Sequence, residues 1–116
     1  MPRTELETRT LAFGLAAVRT VSDFPRSPVA DTLSRQLLKA ATSIGANYRE
    51  ANRAESKEDF IHKTAIAEKE AVETVYWLEI CCGASIGKAA EISALLAESK
   101  ELLAIITTIN RKAKGR

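Results

Sequence analysis

A chain of 116 residues, 46% of them apolar and with a net charge of +2, has the size of one domain and enough apolar material for a core. Its apolar runs fall far short of the roughly 20 residues that span a bilayer, which excludes a membrane-crossing helix, and the small charge permits an anionic partner without requiring one. Only five Gly and three Pro occur, every proline precedes Val29, and Ala, Leu, Glu, Lys and Arg dominate the rest, so the composition favours helix over sheet.

The first helix is expected from about Thr4 to Asp23. Leu11, Leu15, Val18 and Val21 recur at three- and four-residue steps and form its predicted core stripe, with Leu6, Phe13 and Ala17 flanking. Thr4 and Glu7 have the spacing of a capping box, and Phe24-Pro25 ends the helix because the residue before proline is pushed out of the α region. Gly14 inside the helix reads as a site of close helix packing.

Ser27 as N-cap with Pro28 at the first helical position starts a second helix over 28–51. Leu33, Leu37, Ala40, Ala41, Ile44, Tyr48 and Ala51 share its core face. Arg35, Lys39, Arg49 and Arg53 share the opposite side, a basic stripe interrupted by Thr42 and Ala46 and diluted by Asp31.

Ser56, with Asp59 three residues on, marks the start of a third helix over 56–82. Phe60, Thr64, Ala67, Ala71, Thr74, Val75, Leu78 and Cys82 line its predicted core face. A second apolar group, Ile66, Tyr76, Trp77 and Ile80, lies on the far side; a bundle needs one stripe per helix, so this group is the candidate subunit interface. Gly83 and Gly87 punctuate the next turn. The fourth helix, 88–112, carries Ile92, Leu95, Leu96, Ser99, Leu102, Leu103, Ile106, Ile109 and Asn110 along one face and ends in Arg111, Lys112, Lys114 and Arg116 with no acidic residue among them. Short connections make consecutive helices antiparallel neighbours, so the expected fold is all-α: an up-down-up-down four-helix bundle in a single domain.

No catalytic constellation stands out, and neither a metal nor another cofactor is indicated. His62 is the one histidine and projects away from the Phe60 core stripe, Cys81 and Cys82 lack a C-x-x-C spacing, and Glu68, Glu70, Glu73 and Glu79 are expected to spread around the third helix rather than pair. Adjacent cysteines are poor geometry for a structural disulfide and read as reduced thiols in a cytoplasmic protein; the polar start, MPRTELETRT, is no secretory signal.

The run from Leu37 through Ile44 and Asn47 to Glu50, then Ser56-Lys57-Glu58-Asp59-Phe60-Ile61, then Ile66-Ala67 and Leu78-Glu79, resembles the bacterial "four helix bundle protein" family, first met as reading frames in intervening sequences of large-subunit rRNA genes. The accessory variability determinant of diversity-generating retroelements is similar to that family. The resemblance implies an up-down bundle assembled as a ring-shaped homopentamer, with no catalytic residues and, in the retroelement branch, a basic surface that binds nucleic acid and a reverse transcriptase. This chain departs from the family pattern at Tyr48-Arg49-Glu50-Ala51, where A-E-G is common, and at Glu68-Lys69-Glu70, where G-S is frequent.

Two functional readings follow. In one, Arg35, Lys39, Arg49 and Arg53, together with Arg111, Lys112, Lys114 and Arg116, bind RNA or DNA from an oligomer that repeats the patch. In the other, the bundle is a protein-interaction scaffold, and its arginines serve solubility and salt bridges alone.

Overall fold

Two serines start the central helices. Ser27 Oγ accepts the Ala30 amide at 3.1 Å and Ser56 Oγ accepts the Asp59 amide at 3.0 Å, so each satisfies an amide that the first helical turn leaves without a partner. The computed structural model describes all residues from Met1 to Arg116 and contains four helices and no strand: α1 (Arg3–Ser22), α2 (Pro28–Ala51), α3 (Lys57–Gly83) and α4 (Ala89–Ala113). The expected Thr4 capping box does not form. α1 starts one residue earlier, at Arg3, behind Pro2 and without a side-chain cap.

The helices make an antiparallel bundle 44 Å long and about 20 Å across. Each packs its backbone against its two neighbours, α1 closing against α4, while the backbones of the diagonal pairs α1/α3 and α2/α4 stay more than 8 Å apart. Leu37, Ile44, Leu78, Leu102 and Ile106, all fully buried, form the central layers. Small residues Ala41, Ala67 and Ala71 let the backbones approach between them. Buried hydroxyls mostly bond back to their own helix: Thr64 to the Phe60 carbonyl, Thr74 to the Glu70 carbonyl, and Ser99 to the Leu96 carbonyl. A buried polar link crosses helices: Asn110 Nδ2 donates to the Ile61 carbonyl at 3.0 Å and to Thr64 Oγ1 at 2.9 Å, tying the end of α4 to the start of α3. At the other end Gly87, with φ +87°, leaves room for Phe24; a Cβ there would stand 2.7 Å from the Phe24 ring.

The predicted core faces of α2 and α4 are the ones the bundle buries, but α1 and α3 differ in part. α1 turns Leu6, Thr10, Phe13, Gly14, Ala17 and Thr20 inward and leaves Leu11, Leu15 and Val18 outside. The reason is the closeness of the α1/α2 seam: a glycine on each helix faces a threonine on the other, Gly14 against Thr42 and Gly45 against Thr10. An isobutyl group in place of Thr10 or Gly14 could not fit so short a gap, so the leucines are forced to the rim. On α3 the inward cysteine is Cys81, and Cys82, expected in the core, is exposed.

Candidate functional site

The antiparallel topology gathers residues that are far apart in sequence. The start of α1, the α2/α3 turn and the end of α4 meet at one end of the bundle, which holds nine Lys and Arg against six carboxylates over residues 1–7, 49–63 and 110–116. The opposite end, residues 19–31 and 79–91, holds three against four. Arg49, Arg53, Arg111, Lys112, Lys114 and Arg116 all belong to the basic end and are exposed. Of these, Arg49 has Glu7 Oε1 at 3.8 Å from its Nε, and the other five have no carboxylate within 4.0 Å. Arg35 and Lys39 sit elsewhere. Arg35 lies in the half of α2 nearer the other end, and Lys39 lines a small polar recess with Gln36, Lys69, Glu70, Glu73 and Trp77.

In that recess the glutamates expected to stay apart come together. Burial, reinforced by the neighbouring Glu73 carboxylate, raises the Glu70 carboxyl above its ordinary range. Other titratable groups are structural. Arg9 closes the α1/α4 seam, with Nη2 2.7 Å from Glu98 Oε1 and 3.0 Å from Glu101 Oε1; the Glu98 bond, partly offset by burial, leads in holding the guanidinium charged. The Lys63 ammonium is favoured by its bond to Glu50 at 2.9 Å. Burial pushes the Cys81 thiol up. His62 is exposed on α3, and no three His, Cys, Asp or Glu side chains converge to hold a metal ion.

The apolar surface falls into two separate faces. On α1, Leu11, Leu15 and Val18 stand 51, 46 and 41% exposed, and with Gly14, Thr42 and Ala46 they line an open groove of about 360 Å³ between α1 and α2. On α3, Val72, Tyr76 and Ile80 stand 52, 55 and 37% exposed at four-residue steps, making a ridge. Of the four expected interface residues, Tyr76 and Ile80 are on this ridge. Trp77 and Ile66 are only partly exposed; Trp77 packs against the core edge, its ring meeting Tyr76 edge-on at 5.2 Å and 73°. Sequence reading missed Val72 and the whole α1 groove. The available signal was the pair of small residues, Gly14 and Gly45, which marks a seam too tight for the leucines beside it.

Fold and surfaces together define an all-α four-helix bundle with one basic end and two exposed apolar faces. The chain belongs to the 23S rRNA-intervening sequence protein family, whose model matches residues 5–108. It is similar to a crystallised protein of unknown function from the S23 ribosomal protein family of Bacteroides thetaiotaomicron VPI-5482, at 32% identity and a TM-score of 0.82, over 96% of this chain and 99% of that one. Among curated proteins none matches. No helix is long and apolar enough to cross a membrane.

Proposed function

We propose that this protein is a non-enzymatic, self-associating bundle that binds RNA through its basic end. The observation that carries the reading is the collection of Arg53, Arg111, Lys112, Lys114 and Arg116 at one end without carboxylate partners. Unpaired exposed cations are the groups that displace counterions from a phosphate backbone, and self-association repeats them. The family's tie to 23S rRNA genes favours RNA over DNA. A homopentamer ring in the cytoplasm and, as in the retroelement branch, a reverse transcriptase as protein partner are what the resemblance adds to this proposal.

Fluorescence anisotropy with labelled single-stranded and duplex RNA, titrated from low to physiological salt, tests it. Binding is expected to be sequence-independent, because no aromatic side chain is interleaved among these cations for base stacking. Replacing Arg111, Lys112, Lys114 and Arg116 by Gln removes up to four phosphate contacts and is expected to flatten the logarithmic salt slope by up to about 3 on a single strand. Replacing Arg35 and Lys39 by Gln is expected to change it little. Absence of binding by the parent at low salt, or an unchanged slope in the fourfold variant, defeats the RNA reading and leaves the scaffold reading in its place.

A further inference from the structure

The seam between α1 and α4 is built differently from the other three. Its helices are the least closely packed of the neighbouring pairs, and between them runs an open groove of about 340 Å³, at the small end of the roughly 300–1,000 Å³ that small-molecule sites occupy. Ala12, Ala16 and Ala94 form its walls, and the buried Phe13 and Leu95 its floor. Arg9, held by Glu98 and Glu101, closes one end.

The other end holds polar groups that the chain leaves unsatisfied. Of the four buried threonines, Thr10, Thr64 and Thr74 each donate to a carbonyl of the preceding turn; Thr20, only 5% exposed and lining the groove, has no hydrogen-bond partner. Across from it Glu91 Oε1 is sealed from solvent and receives no donor, an expensive state for a carboxylate oxygen. The Arg9–Glu98 bond sets the antiparallel register and places Glu91 about level with Ala16. Helical side chains lean toward the start of their own helix, so Glu91 leans toward Thr20 and Thr20 leans back toward Glu91. The nearest cation does not answer them. Lys88 Nζ lies 3.4 Å from Asp23 Oδ2 and 4.0 Å from Glu91 Oε2, shared between two carboxylates and away from Oε1.

We infer that the α1/α4 groove binds a small primary amine, whose ammonium donates to Glu91 Oε1 and the Thr20 hydroxyl while its apolar body lies over Phe13 and Leu95 between the alanines. An ammonium brings the charge and the several N–H donors that this end lacks. An anion would meet Glu91 unpaired, and a neutral apolar molecule would fill the groove yet leave Oε1 without a donor. The Glu91 side chain is 40% exposed, so a rotation of its carboxylate turns Oε1 from the seam toward the ligand. The site stands at the end of the bundle opposite the basic cluster and depends neither on RNA nor on self-association.

Titrating isotope-labelled protein with phenethylamine, read by amide NMR shifts, tests the inference. Phenethyl alcohol and hydrocinnamate carry the same kind of body without the charge and with the opposite charge. Saturable shifts confined to residues 12–20 and 91–98 are expected, with a Kd of about 1 mM for so small a ligand, and with the alcohol about tenfold weaker and hydrocinnamate weaker still. Glu91→Gln should bring the amine down to the level of the alcohol, about a tenfold loss, and Thr20→Val should cost about threefold. Glu79→Gln removes an exposed carboxylate from the same end of the bundle, away from the groove, and should change nothing. Circular dichroism verifies that the three variants remain folded. Equal affinity for amine and alcohol would leave only an apolar groove and overturn the inference. So would the absence of saturation by about 10 mM amine, shifts spread over the surface carboxylates, or a loss in Glu79→Gln as large as in Glu91→Gln.

Discussion

Placing the same methyl group on two glycines of the α1/α2 seam should change stability in opposite directions. Gly14 and Gly45 are both helical and both buried, so replacement by Ala gains each about 1 kcal/mol of helix propensity. A Cβ on Gly14 would lie 3.7 Å from Thr42 Cγ2, an ordinary contact, and the gain should survive nearly whole. A Cβ on Gly45 would lie 2.9 Å from Thr10 Oγ1 and 3.1 Å from Thr10 Cβ. Rotating the hydroxyl away does not relieve this. Oγ1 is held by the Leu6 and Glu7 carbonyls at 2.9 and 3.1 Å, and the Cβ moves only if α1 moves. Overpacking of this kind costs about 1–3 kcal/mol, so Gly45→Ala should come out neutral to about 2 kcal/mol destabilised, and the two variants should differ by about 1–3 kcal/mol. Urea unfolding followed by circular dichroism at one protein concentration reads the difference. Holding the protein concentration fixed makes any self-association enter both variants alike. With a slope of roughly 1–2 kcal/mol per molar urea, the midpoints should separate by about 1 M. Equal stabilisation by both substitutions would refute the claim that the seam's closeness forces the leucines outward.

Asn110→Ala removes the buried polar link between the end of α4 and the start of α3 and leaves a gap beside Thr64; a loss of about 2 kcal/mol is expected in the same urea assay. The Glu70 carboxyl, raised first by burial and then by Glu73, holds its proton to higher pH in the folded chain than in the unfolded one. The stability it contributes is therefore complete below the unfolded carboxyl range and is lost as pH rises through the folded value. Glu70→Gln should accordingly raise the melting temperature at pH 7, with the advantage shrinking toward zero as the buffer is acidified below about pH 4. Exposed Cys82 should react with a colorimetric disulfide reagent within the mixing time of a native sample, and buried Cys81, its thiol pushed up by desolvation, only at the rate of unfolding; two equally fast thiols would contradict the placement of Cys81 in the core.

What could be read from the sequence, and what could not, divides by helix. α2 and α4 have one apolar face each and a polar or small-residue face opposite, so periodicity alone selects Leu33, Leu37, Ile44 and Tyr48, or Ile92, Leu95, Leu102 and Ile106. α1 and α3 carry apolar residues on two faces, and there the pattern underdetermines the answer. In α1 both Leu6-Thr10-Phe13-Ala17-Thr20 and Leu11-Leu15-Val18 have the four-three spacing of a buried seam. Hydrophobicity prefers the second, yet the gap set by Gly14 and Gly45 admits only the first. Periodicity reports that a face is covered, without reporting whether the cover is the same chain or another copy. The basic end escaped for a different reason: charge counted along the chain finds a mild surplus at each terminus, and only the antiparallel return of α2 and α4 brings Arg53 and Arg111–Arg116 to one place. The helices whose inward faces were misjudged are thus the two whose outward faces are left apolar. Where a helix carries two apolar stripes, the bundle keeps inward the one whose side chains fit its narrowest seam, and on α1 that is the stripe of Thr10, Gly14 and Ala17.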